Sequence, residues 1–144
     1  RVGDAPYVIE YNVRMGDPET QVVLPRIKND LAEMLYATAK GKLEEIELLI
    51  EDQSAITVVA VSGGYPGAYE KGKIINGVAF SPNSTLFHAG TILKEGKILT
   101  NGGRVLAVTS LGEKHKDALL QSYKLLEEIS FEGMYYRKDI GYDL

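Results

Sequence analysis

The chain has 144 residues, 44% hydrophobic and 25% charged, a composition of soluble globular proteins with length for one ordinary domain or two small ones. A formal net charge of -4 gives no general attraction to nucleic acid or an anionic membrane, and no apolar run approaches the ~20 residues of a membrane span. The lack of cysteine excludes a disulfide scaffold and thiolate chemistry and fits a reducing compartment, so a cytoplasmic location is expected.

The chain opens Arg1-Val2-Gly3-Asp4-Ala5-Pro6, without an initiator methionine and without the apolar core of a signal peptide. A strand is expected over Pro6 to Val13, as if the chain began at the end of a hairpin, which predicts a fragment of something longer. A loop over Arg14 to Thr20 follows. Leu24, Ile27, Leu31, Met34, Leu35 and Thr38 then recur at helical spacing, with Pro25 in the first turn and Gly41 as the stop. Leu43 to Asp52 reads as either a second short helix or a connector, and a domain boundary is placed near Glu51.

Ala55 to Val61 is a β-branched, nearly continuous apolar run, as in a buried strand. After the glycine-rich Ser62–Gly67 loop, short strands are expected at Lys73 to Ile75, Thr85 to Ala89, Thr91 to Lys94 and Ile98 to Thr100, with Glu95-Gly96 closing a hairpin. Asn101-Gly102-Gly103 turns into a strand over Arg104 to Ser110. A helix over Glu113 to Ile129 carries Ala118, Leu119, Leu125, Leu126 and Ile129 among its apolar positions. The fold class is α+β, with one unit over residues 1–51 and a small β-rich unit with one long helix over 52–144.

Polar chemistry is densest in Glu10-Tyr11-Asn12-Val13-Arg14-Met15-Gly16-Asp17-Pro18-Glu19-Thr20-Gln21. Residues i and i+2 of a strand share a face, so Glu10 and Asn12 can present two hard oxygen ligands to one Mg²⁺ while Arg14 reaches phosphate. An isolated Glu-x-Asn is more often a wet strand face. Here Arg14, Asp17 and Glu19 crowd the same stretch, and like charges so close are costly without a cation. The Gly16–Thr20 loop reads both as an Asp-Pro turn capping the next helix, through Thr20 or Glu19, and as a loop whose carboxylate binds an amine.

The remaining candidates are weaker alone. Ser62-Gly63-Gly64-Tyr65-Pro66-Gly67 is a connector or a loop that lets a ligand approach the backbone, and it lacks the ending of a P-loop. Asn101-Gly102-Gly103-Arg104 is a hairpin turn, or at best a phosphate nest with an arginine clamp. His88 reads first as a satisfied core residue and second as a ligand, His115 as a solvated residue, and Arg137-Lys138-Asp139 first as a solvated charge cluster and second as a ligand contact.

Taken together, these stretches resemble the C-terminal part of the phosphoribosylamine–glycine ligase (glycinamide ribonucleotide synthetase) family of ATP-grasp enzymes. The resemblance rests on the Glu10–Gln21 segment, Ser62–Gly67 with Tyr69-Glu70-Lys71-Gly72, Phe87-His88-Ala89-Gly90-Thr91, Thr100-Asn101-Gly102-Gly103-Arg104-Val105-Leu106, and Tyr136-Arg137-Lys138-Asp139-Ile140-Gly141, in family order over almost the whole chain. Met15 is a mild departure, where Phe or Leu is more usual. The resemblance implies that residues 1–51 end an ATP-grasp domain, that 52–144 form the family's C-terminal domain, and that a larger N-terminal portion of the polypeptide is missing. It further implies ligation of glycine to 5-phosphoribosylamine with ATP as co-substrate, Glu10 and Asn12 holding Mg²⁺ or Mn²⁺, and Arg14 and Asp17 catalytic. Glu19 would either support Asp17 from behind or bind an ammonium group, and Lys97 and Arg104 would grip the ribonucleotide phosphate. Another ATP-grasp ligase and a non-catalytic binding module are the alternative readings.

Overall fold

The computed structural model describes residues 3, 5–9, 11–77 and 81–142. Its center is a three-stranded antiparallel sheet in the order β1-β5-β2, formed by β1 (Ser54–Val61), β2 (Ser84–His88) and β5 (Arg104–Gly112). A separate hairpin joins β3 (Thr91–Lys94) to β4 (Lys97–Thr100), turning on Glu95 and Gly96 with φ of 51° and 73°. Two left-handed residues give the twist that a two-residue hairpin turn needs. Antiparallel sheets with helices at their faces make this an α+β fold, as expected.

β5 is the central strand, and Val105 to Ser110 are buried without a break. Such continuous burial requires cover on both faces. Helix α3 (His115–Glu127) covers one face: Ser122 donates to Ser110 Oγ at 2.9 Å and to the Ile56 carbonyl at 3.1 Å. Leu125, Leu126 and Ile129 enter the same core as Val58, Leu106 and Val108. On the other face, Thr109 Oγ1 donates to the Gln21 carbonyl at 2.8 Å, so the first segment closes the second layer.

That first segment is organized differently from the expectation. Among the described residues of the Pro6 to Val13 stretch no strand forms; a strand needs a neighbor for its backbone groups, and none of the described residues pairs with them. Tyr7, Val8, Ile9, Tyr11 and Val13 are all exposed. The single helix expected over Leu24 to Thr38 is instead α1 (Glu19–Val23), a 3-10 turn at Leu24–Arg26 and α2 (Leu31–Ala39). Pro25 fits the turn's start, but Ile27 is extended and bridges Ile50, which breaks the helical run.

Asp30 then restarts the helix, accepting from the Ala32 and Glu33 amides at 2.8 and 3.1 Å. Gly41, at φ 67°, ends α2 as expected: its amide bonds the Thr38 carbonyl and the Lys42 amide bonds Ala37, a Schellman closure. Leu43 to Asp52 contains only a 3-10 turn at Leu43–Glu45 before rejoining residues 26–29 in a short ladder. Asn29 anchors that ladder, donating to the Glu47 carbonyl and accepting from the Leu49 amide.

Beyond residue 52 the differences are small. Lys73 to Ile75 is not a strand but two isolated pairings, Ile74 with Leu99 and Asn76 with Ser130. The intervening Ile75 is buried in the core. His115, expected in water, is half-buried at the head of α3, with Nε2 shielded and unbonded.

Candidate functional site

The sheet brings the motifs to one end. β1 and β2 both finish where β5 starts: Val61 pairs with Arg104, and His88 pairs with Leu106. The Ser62–Gly67 loop, the Ala89–Thr91 corner, the Asn101–Gly103 turn and Tyr135, bridged to Val61, therefore converge there.

At this end Asp17 meets Arg104. Asp17 Oδ2 lies 3.0 Å from Arg104 Nε in an ion pair, and Asp17 Oδ1 accepts from Gln21 Nε2 at 3.2 Å. An expected catalytic residue and an expected substrate-binding residue, one from each half of the chain, are thus in direct contact. Both side chains are roughly two-fifths exposed, at 38% and 41%, so the pair is open to solvent and to exchange. Arg104 also lies 6.0 Å from the Tyr65 ring centroid, a cation–π distance.

The glycines around Arg104 have a structural use that the sequence left open. A Cβ on Gly103 would collide with the Tyr65 ring, and one on Gly90 would stand 2.6 Å from Gly102 Cα. A Cβ on Gly63 would stand 2.8 Å from the Gly133 carbonyl oxygen. Ser62 donates from Oγ to the Gly102 carbonyl and from its amide to the Gly103 carbonyl, at 2.9 and 2.8 Å. These loops approach one another at backbone distance, with their glycines against protein, and the resulting platform aims the Arg104 side chain.

Two cavities flank the Asp17–Arg104 pair on opposite sides of the central strand. The first, about 710 Å³, is walled by Arg14, Asp17, Thr20 and Gln21 on one side and by Phe87 and His88 of β2 on the other. The second, about 340 Å³, lies on the β1 side, between Pro18, Tyr65 and Arg104 and the C-terminal Tyr135–Arg137 stretch.

The other expected residues fall as follows. Arg14 lines the first cavity, with Nη1 donating to the Met15 carbonyl at 2.8 Å and to Asn12 Oδ1 at 3.4 Å. Asn12 offers a hard amide oxygen of the kind Mg²⁺ or Mn²⁺ takes; Glu10, its expected companion, lies outside the described residues. Among the described residues no three His, Asp or Glu side chains gather as a metal cluster. Glu19 begins α1 and folds over Gly16. No side chain caps α1; the Thr20 hydroxyl donates to the Gly16 carbonyl instead.

Lys97 stands beside the β3–β4 turn, exposed, and lines neither cavity. His88 is the residue most undervalued by sequence. It is exposed at the end of β2, bonded to Thr91 Oγ1 at 3.1 Å, and faces the larger cavity. Its place within the Phe87–Thr91 motif was the available signal.

Residues 55–143 match the family described as phosphoribosylglycinamide synthetase, C domain. The chain belongs to this family. A phosphoribosylamine–glycine ligase of Caldanaerobacter subterraneus subsp. tengcongensis is 49% identical over 138 residues, covering 96% of this chain and 33% of that protein. The trifunctional purine biosynthetic protein adenosine-3 of Gallus gallus is 49% identical over 142 residues, covering 96% of the chain but 14% of that polypeptide. In three dimensions, the crystal structure of a Thermotoga maritima phosphoribosylamine–glycine ligase superposes with a TM-score of 0.73 at 37% identity, over 93% of this chain and 33% of that one. This synthetase C-domain chain therefore spans about a third of the length of the single-function relatives it matches.

Proposed function

We propose that this chain is the C-terminal third of a cytoplasmic ATP-dependent ligase that joins glycine to 5-phosphoribosylamine, giving glycinamide ribonucleotide, ADP and phosphate. Residues 1–51 would complete the ATP-grasp domain, and 52–144 would form the domain that closes on it. The observation that carries the reading is the match of residues 55–143 to the synthetase C domain, with Asp17 and Arg104 in contact at the sheet end where the motifs converge.

In this mechanism the glycine carboxylate takes the γ-phosphoryl group of ATP, forming glycyl phosphate and ADP. The amine of phosphoribosylamine then attacks the glycyl carbonyl carbon; the C–N bond forms as the C–O bond to phosphate breaks. Such steps depend mainly on placement and charge neutralization. Arg14, at the wall of the larger cavity, neutralizes charge on the transferred phosphoryl group or on the glycine carboxylate. Asp17 orients the attacking amine, with Glu19 nearby for an ammonium group. Arg104 meets the ribonucleotide phosphate, and Lys97 is assigned to it on resemblance alone. Glu10 and Asn12 would hold Mg²⁺ or Mn²⁺, which when bound supplies positive charge against the ATP phosphates.

The test is phosphate release by the intact polypeptide with ATP, glycine and phosphoribosylamine. Glu10→Ala or Asn12→Ala should abolish metal-dependent ligation while the fold survives; near-parental turnover by both at saturating Mg²⁺ would sink the metal assignment. The 144 residues alone should show no appreciable ATP binding in calorimetry, and micromolar affinity would contradict the two-part reading.

A further inference from the structure

We infer that His88 is the general base of the ligation, taking the proton that the attacking amine must lose. This rests on the function proposed above and gives its second step a residue that step still lacks.

The need follows from the balance of that step. As the amine nitrogen attacks the glycyl carbonyl carbon, the C–N bond forms and the C–O bond breaks, its electron pair leaving on phosphate. The nitrogen then carries one proton more than an amide holds. A side chain that accepts it as the bond forms contributes ~10²–10⁴-fold in rate. Such a side chain needs a free lone pair at the site and a way to pass the proton on.

Among the described residues that line the larger cavity, the charged or titratable side chains are Arg14, Asp17 and His88. Arg14 is a permanent cation and cannot accept a proton. Both oxygens of Asp17 are engaged, one by Arg104 and the other by the Gln21 amide, which suits Asp17 to holding the amine rather than deprotonating it. His88 is placed differently. Its Nδ1 lies 3.1 Å from Thr91 Oγ1, and its Nε2 has no partner among the described residues. With the Nδ1 proton donated to the Thr91 hydroxyl, Nε2 keeps its lone pair, because the bond at one ring nitrogen sets the state of the other. The side chain is exposed, so the proton can leave to water. The charged groups around it are Arg14 and Asp17 across the cavity and Arg104 at the start of β5, whose guanidinium is committed to Asp17.

The corner after β2 keeps the ring in place. The Ala89 and Gly90 amides donate to the Val105 and Arg104 carbonyls at 3.0 and 2.8 Å, and the Thr91 amide donates to the Ala89 carbonyl at 3.0 Å. Gly90 is held against Gly102, where no Cβ fits. Thr91, the tether of His88, is therefore fixed by backbone. In the Phe87–Thr91 motif the histidine is the base, the glycine lets the corner pack, and the threonine aims the ring.

The test uses the intact ligase with phosphoribosylamine generated in the assay. His88→Gln retains hydrogen bonding without a proton-accepting nitrogen, and should lower kcat for ligation ~100-fold with KM for ATP and glycine unchanged. The first step should survive: glycine-dependent isotope scrambling of the bridging oxygen in ATP, measured without the amine, should keep its parental rate. Added imidazole should restore part of the lost ligation rate, which a merely structural role would not allow. The acid limb of the parental pH–rate profile should vanish in the variant. Thr91→Val keeps the volume and removes the tether; it should lower kcat ~10-fold with the same intact scrambling, and serves as the second variant should His88→Gln lose its native circular dichroism.

Parental kcat in both variants would overturn the assignment, since the departing phosphate would then carry off the proton itself. So would a loss shared by the isotope scrambling, a loss confined to KM, or a kcat loss that imidazole does not relieve. Failure of the overall function reading would appear separately, as an unsubstituted intact protein without glycine-dependent ATP turnover.

Discussion

At the scale of single residues, the glycines of this domain act by what they exclude. Gly90 sits where any Cβ would press on the backbone of Gly102 and Arg104, which no rotamer change relieves. Gly90→Ala should cost about 1–3 kcal/mol in urea unfolding, the usual range for overpacking. At Gly96 the space is open but φ is 73°, so alanine there should cost only about 1–2 kcal/mol, through backbone strain. Equal losses at the two positions would show that the Gly90–Gly102 approach is not rigid. Asp17 is defined in the same way, by contacts: Gln21 holds one carboxylate oxygen and Arg104 the other. In the ligase proposed above, Asp17→Asn should lower kcat at least ~10-fold with ATP affinity preserved, the mark of a residue that orients the amine.

At the scale of elements, each half of the chain has an exposed acidic group whose behavior is testable. Asp30 caps α2, which buries none of its own residues, so Asp30→Ala should cost about 0.5–2 kcal/mol of local stability. Hydrogen exchange in Ala32 to Met34 would report it. In the C-terminal stretch, the Arg137 guanidinium hydrogen-bonded to Asp139 holds that carboxyl below its usual range. A depressed carboxylate pKa means the contribution is present above the ordinary value and lost as pH falls through the lower folded one. Asp139→Asn should therefore lower stability at neutral pH and converge with the parent in acid, once the pH is below the lowered folded value. Lys73 shows the opposite sign. Hydrogen bonds to Glu70 and Glu132 raise its pKa, so its contribution persists to alkaline pH and is lost only above the ordinary lysine value.

At the scale of the whole molecule, α1 packs against β1 and β5, and polar bonds pin the two halves together. Thr109 reaches from the central strand to the Gln21 carbonyl, with Thr57 bonded beside it. Asp17 meets Arg104 across the same divide. Thr109→Val keeps the volume but strands the Gln21 carbonyl, which should cost about 1–3 kcal/mol. Amide exchange should then accelerate in α1 while β5 stays protected. Uniform acceleration through β5 would instead mean that the halves unfold as one unit.

Much of this was legible in the sequence because it is local. The β3–β4 hairpin, the β1 strand, the apolar stripe of α3 and the Gly41 stop follow from period and turn chemistry within a dozen residues. The strand over Pro6 to Val13 and the unbroken helix over Leu24 to Thr38 failed for the opposite reason. One needed a pairing partner, and the other was interrupted by the Ile27–Ile50 pairing across the chain. The sequence by itself determined the family and the fold class and named the residue types of the candidate site. Only the tertiary structure decided that Asp17 meets Arg104, that the motif glycines pack against backbone, and that Arg137 shares a cavity with Arg104 while Lys97 does not. Periodicity records which face a residue shows its neighbors; it carries no record of which distant backbone will come to rest against it.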